Sequence, residues 1–155
     1  VEQTSFEVNS LEDLEKTANW LAERLQNRAL LLLRGELGTG KTALMKKILK
    51  IHGLSERKVK SPTFSLINKY ETAKFRFYHL DLYRLEKPDL FLLEEMKELL
   101  QEQQVIVAVE WPEKMDLQSL TDYSTRIFEI KIDFLQKDLR KVDVCVKNTE
   151  NKLNS

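Results

Sequence analysis

The chain predicts a three-layer α/β fold with a mixed sheet, and three observations carry that expectation. Wholly apolar segments of strand length occur at Ala29–Leu33 and Val105–Val109, as expected of strands buried on both faces. Stretches with helical spacing of apolar residues alternate with them. Three of the four glycines lie within the six positions Gly35 to Gly40, directly between the first apolar run and a helix-forming segment.

Taken in order, Phe6-Glu7-Val8 predicts a short strand, with Asn9 or Ser10 capping a helix. From Leu11 to Leu25 the apolar positions 11, 14, 18, 21, 22 and 25 recur at helical spacing, so this helix packs one face on the sheet. Trp20 within it is expected as a core or rim aromatic. Ala29–Leu33 follows as a buried strand. Thr42–Leu49 reads as a helix with apolar residues at 44, 45, 48 and 49.

Two β-forming segments, Phe64–Glu71 and Phe75–Tyr83, flank the short turn Thr72-Ala73-Lys74, the pattern of a β-hairpin inserted into the domain. Pro88 opens a helix reaching about Gln101, and Val105–Val109 is the second buried strand, closed by Glu110-Trp111-Pro112. Thr125–Asp133 and Lys141–Val146 predict a final pair of strands. They are expected to be antiparallel, because no helix-length crossover separates them. The domain is expected over residues 1–146, with a polar, flexible tail over 147–155.

Bulk properties narrow the function. Lys+Arg and Asp+Glu number 25 each in 155 residues, whereas a free-standing nucleic-acid binder more often carries a basic excess. A single cysteine, Cys145, excludes an intramolecular disulfide and a Cys-based zinc site, and it fits a reducing compartment, the cytoplasm. No apolar run approaches the length of a membrane span.

The glycine cluster supplies the chemistry. Gly35, Gly40, Lys41 and Thr42 satisfy G-x-x-x-x-G-K-[ST] between a strand and a helix, which is the P-loop in its required context. Backbone N–H groups from Gly35, Glu36, Leu37, Gly38, Thr39, Gly40, Lys41, Thr42 and Ala43 would cradle phosphates at a helix N-terminus. Lys41 would reach the β- and γ-phosphates of a nucleotide, and the Thr42 hydroxyl would ligate Mg²⁺. A P-loop also needs an acidic group at the end of a neighbouring strand, and Glu110 has that placement at the sheet edge where α/β folds bind ligands. The alternative is that Glu110 is merely the first solvated residue after its strand.

Asp81, in His79-Leu80-Asp81-Leu82-Tyr83-Arg84, is the second acidic candidate. Alternation places His79, Asp81 and Tyr83 on one strand face. Asp81 would orient the attacking water, contact Mg²⁺ through water, or pair with a basic neighbour. Ser61-Pro62-Thr63 lies where a switch segment would cover the terminal phosphate, or simply leads into the hairpin. Trp111 would pack near the nucleotide or anchor the strand end.

In order and spacing, GELGTGKT, SPTFSLINKYE, FYHLDLYRL and VEWPEKM resemble the TsaE family, the ATPase of bacterial tRNA threonylcarbamoyladenosine biosynthesis. The resemblance runs from about Phe6 to Val146. It implies an ATP-hydrolysing accessory protein that acts with the transferase TsaD and its partner TsaB on adenosine 37 of tRNA, touching tRNA only through that complex, with no role for DNA or membrane. It implies further that Lys41, Asp81 and Glu110 serve hydrolysis, that Thr42 and Glu110 hold Mg²⁺, and that Ser61 to Thr63 act as a switch. Two departures are Ala43, where the family often has a second hydroxyl, and the absence of the family's glycine after Arg84. A small P-loop metabolite kinase is the alternative, although no arginine-rich lid segment is evident. A GTPase is disfavoured because Asn68-Lys69-Tyr70-Glu71 ends in Glu and precedes the acidic strand.

Overall fold

The computed structural model describes residues 1–54, 66–124 and 126–149. Its strands are β1 (Glu2–Val8), β2 (Ala29–Arg34), β3 (Ile67–Glu71), β4 (Arg76–Asp81), β5 (Val105–Glu110), β6 (Arg126–Gln136) and β7 (Leu139–Asn148). The helices are α1 (Leu11–Glu23), α2 (Lys41–Ile51) and α3 (Leu90–Leu99), and two 3₁₀ turns, Pro112–Lys114 and Gln118–Asp122, follow β5.

One mixed sheet runs in the order β1-β7-β6-β2-β5-β4-β3. β2 lies between β5 and β6 and is parallel to both, and β4 is parallel to β5. β1 and β6 each pair antiparallel with β7, and β3 pairs antiparallel with β4. Strand β2 explains its own composition: Leu31 and Leu33 enter the core under α1 and α2, whereas Leu30 and Leu32 enter the core under α3. Both faces are covered, so both must be apolar.

Local chemistry sets the helix starts. The Ser10 side chain accepts from the Asp13 N–H at 3.1 Å while the Asp13 carboxylate accepts from the Asn9 N–H at 3.2 Å, a reciprocal cap that satisfies two otherwise orphaned donors. Asp89 caps α3 by accepting from the Leu92 N–H at 3.1 Å. Pro88 therefore precedes the cap and does not open the helix itself.

Two further expectations are refined. The hairpin forms, but its second strand is woven into the parallel centre of the sheet beside β5, with Phe77, Tyr78, His79 and Leu80 all buried. Strand β7 continues through Lys147 to Asn148, into the segment expected as a polar tail. Trp20 is half-buried at the core rim, edge-to-face with Phe6 at 5.7 Å and covered by the Arg24 guanidinium at 3.6 Å.

His52 caps the C-terminus of α2 and packs against Phe75 and Phe77 at 5.4 and 5.6 Å. Burial, helped by the charge of Lys74, holds its imidazole below the ordinary value of 6.5. The unfolded chain therefore takes up a proton at this position before the folded chain does. The stability associated with the neutral ring is present above about 6.5 and is lost as pH falls toward the folded value. His52→Phe is expected to flatten the decline of melting temperature between about pH 7 and pH 5. An unchanged slope in a thermal melt series would contradict this.

Candidate functional site

The C-terminal ends of β2, β4 and β5 meet at one edge of the sheet, and the strand register decides which side chains meet there. Glu110 lies opposite Leu33 on β2 and opposite Asp81 on β4. Because side chains alternate, Phe77, His79 and Asp81 of β4 share a face with Ile106, Ala108 and Glu110 of β5. That face carries α2.

The loop from β2 to α2 turns on its glycines. Gly38 has φ +81° and Gly40 has φ +108°, conformations that cost a residue with a Cβ. Gly35 is constrained by space as well, since a Cβ there would lie 2.7 Å from the Ile132 carbonyl oxygen on β6 and 2.7 Å from Thr39 Oγ1. Gly35→Ala is expected to destabilise the fold by about 1–3 kcal/mol, more than Gly38→Ala, which meets nothing within 4 Å. Thermal denaturation of both variants checks the order, and a Gly35→Ala protein as stable as wild type would contradict it.

Gly40 occupies the N-cap position of α2 without a side-chain cap, and the first turn carries no acidic residue. The N–H groups and the positive end of the helix dipole are therefore available to an anion. The buried Lys41 ammonium (5% exposed) donates to the carbonyls of Gly35 and, at 3.2 Å, Glu36, and lies 4.5 Å from the centre of the Trp111 ring. Burial lowers its pKa, against the opposing charges of Glu110, Asp81 and Glu113. Thr39, also buried, ties the loop by donating its hydroxyl to the Glu36 carbonyl at 2.9 Å.

Glu110 is only 3% exposed, so it is not a solvated residue at a strand end. Thr42 donates to its Oε2 at 3.3 Å, and His79 Nε2 meets the same oxygen at 2.5 Å. Asp81 stands next to Glu110 across the strand pair, and its Oδ1 accepts from the Tyr83 N–H at 3.0 Å. Its pKa is raised, chiefly by burial and also by the Glu110 charge, against the Tyr83 N–H and the charges of His79 and Lys41. Tyr83 itself has left the strand face and rests on Trp111 at 5.0 Å, 41% exposed.

A hydroxyl and a carboxylate meeting at a helix N-terminus suit Mg²⁺, which takes one or two protein oxygens and completes its shell with phosphate and water. No cluster of three or more His, Cys, Asp or Glu occurs among the described residues. The Thr42 hydroxyl and the Glu110 carboxylate are the oxygens such a cation would find here.

The fold brings Lys41, Thr42, Asp81, Glu110 and Trp111 to one end of the sheet. Leu37 is 61% exposed and contributes only backbone to the loop. Ser61, Pro62 and Thr63 lie outside the described residues. Sequence reasoning misses Arg140 on β7, whose guanidinium donates to the Gly38 carbonyl at 3.3 Å. A cavity of about 380 Å³ beside the loop is lined by Ser10, Leu11, Thr39, Gly40, Ala43 and Arg140, among others. No local signal marks Arg140, because it reaches the loop through the sheet order alone.

The chain matches the family described as "Threonylcarbamoyl adenosine biosynthesis protein TsaE" over residues 8–142. It is similar to three proteins named tRNA threonylcarbamoyladenosine biosynthesis protein TsaE. The one from Rickettsia felis is 32% identical, over 94% of this chain and 82% of the relative. The one from Aquifex aeolicus is 38% identical, over 90% and 94%. The one from Nostoc is 43% identical, over 68% and 67%. The crystal structure of YdiB from Bacillus subtilis superposes with a TM-score of 0.67 at 22% identity, covering 96% of this chain and 88% of that one, and so shares the fold. With a P-loop facing a buried acid at the edge of this sheet, and with relatives that match along nearly its whole length, the chain belongs to the TsaE family.

Proposed function

We propose that the chain is a Mg²⁺-dependent ATPase that supports threonylcarbamoyladenosine formation in tRNA as an accessory to the TsaB and TsaD proteins. The observation that carries the chemical part is the convergence of the Thr42 hydroxyl and the Glu110 carboxylate at 3.3 Å, beside the buried Lys41. An ammonium at that place suits phosphoryl oxygens, over which charge spreads during the displacement.

The reaction is attack of water on the terminal phosphorus of ATP, breaking the bond to the bridging oxygen and giving ADP and phosphate. The backbone N–H groups of Gly35 to Thr42 bind and orient the phosphates, and Lys41 neutralises charge developing on their oxygens. Thr42 and Glu110 would hold Mg²⁺, which would supply Lewis-acid polarisation when bound. Asp81, whose pKa burial raises, stands beside Glu110, and we assign it to orienting the nucleophile. Trp111 shields Lys41 from solvent. The base is assigned to the cavity by Ser10, Leu11 and Arg140, since that cavity adjoins Thr39, Gly40 and Ala43.

The family's role in tRNA modification supplies the biological part. An overall formal charge of zero supports contact with tRNA through partners and not by this chain alone. No helix among the described residues is long and apolar enough to cross a membrane, and we place the protein in the cytoplasm with its substrate complex.

Phosphate release from ATP and from GTP, with and without a purified TsaB and TsaD pair, tests this function. Release that prefers ATP, requires Mg²⁺ and rises with the pair is the expected result. Radiolabel from the terminal phosphate appearing on a small acceptor would overturn it in favour of a metabolite kinase.

A further inference from the structure

His79 is fully buried, yet its Nδ1 has no hydrogen-bond partner. An unpaired polar nitrogen in the core costs desolvation with nothing returned there, and an apolar ring of the same size would avoid that cost. The other ring nitrogen accounts for the imidazole. Nε2 meets Glu110 Oε2 at 2.5 Å, and with the carboxylate oxygen as acceptor Nε2 is assigned as the donor. Among the described residues, both side-chain hydrogen bonds to Glu110, from His79 and from Thr42, end on Oε2. Oε1 is left to whatever enters the site.

We propose that His79 is the positioning residue for Glu110: its Nε2–H fixes Oε2 from inside the sheet, so that Oε1 is presented to the cation bound with the nucleotide. This rests on the assignment of Thr42 and Glu110 to Mg²⁺. The mechanical basis is parallel pairing of β4 with β5, which sets His79 opposite Ala108. Glu110 follows Ala108 two residues further along the same strand face. The Thr42 hydroxyl points its hydrogen at the same oxygen, which keeps its lone pairs free for the cation.

The test separates cation binding from nucleotide binding. ADP affinity is measured by calorimetry in EDTA, and Mn²⁺ affinity of the ADP-bound protein by electron paramagnetic resonance, for wild type, His79→Phe and His79→Gln. His79→Phe is expected to weaken Mn²⁺ by about tenfold or more while leaving ADP affinity in EDTA within about twofold, the size of effect seen when a ligand loses its outer-shell partner. His79→Gln keeps an N–H near the position of Nε2 and is expected to recover most of that loss. In a Glu110→Gln background, His79→Phe should add nothing further. Unchanged Mn²⁺ affinity in His79→Phe, or equal weakening in the Gln and Phe variants, would overturn the proposal. If His79→Phe does not fold, His79→Asn, too short to reach Oε2, replaces it in the comparison with His79→Gln. Failure of the wild type to bind ADP in EDTA would instead overturn the nucleotide assignment itself.

Discussion

Lys41→Ala is expected to lower kcat/KM for ATP hydrolysis by about 10²–10³-fold, the usual consequence of removing one preorganised charge from a transition state. The same variant should melt at or above the wild-type temperature. Burial lowers the Lys41 pKa, so at neutral pH the charged ammonium is held at a cost to folding that the alanine does not carry. Loss of activity with undiminished stability is the mark of a group retained for chemistry. Lys41→Arg is not expected to rescue, because a planar guanidinium does not reproduce the compact ammonium that Lys41, 5% exposed, places against Trp111. Steady-state phosphate release and a thermal melt check both halves. A variant that loses stability in proportion to activity would contradict the account.

Glu110→Gln is expected to lower turnover by a similar factor, about 10²–10³-fold, and to abolish the gain in ADP affinity that Mg²⁺ confers. The amide keeps the size of the side chain and an oxygen that accepts from His79, so the change removes charge more than shape. Binding of ADP in EDTA should persist, because the loop N–H groups and Lys41 remain. Calorimetry with and without Mg²⁺ decides this. Retention of full Mg²⁺ dependence in the glutamine variant would exclude Glu110 from the cation site.

The elements that were legible in the sequence are the local ones. Ala29–Leu33, the glycine loop and α2 form a contiguous stretch whose residue types each answer a local demand, and the structure places them as expected. The acid at the end of β5 was also visible, but its burial was not, since the side chains that meet Glu110, His79 and Thr42, come from other elements. The alternation of β4 put His79 on the site face, yet only the pairing with β5 shows which carboxylate it meets. The same pairing explains why the hairpin reads as an insertion: Phe77-Tyr78-His79-Leu80 is buried on both faces, a sign of a central strand masked by the short turn before it. Arg140 lies beyond any local pattern, because its approach to Gly38 spans 102 positions.

If nucleotide hydrolysis by this chain sustains modification by TsaB and TsaD, as proposed, repeated rounds of modification depend on Lys41. The most direct measurement is the number of threonylcarbamoyladenosines formed per TsaB and TsaD complex, by mass spectrometry of tRNA nucleosides, with ATP, the threonylcarbamoyl donor and either wild type or Lys41→Ala. Wild type is expected to carry the complex through repeated rounds, whereas Lys41→Ala leaves it at the level reached without this chain. Equal product with the two proteins would contradict it.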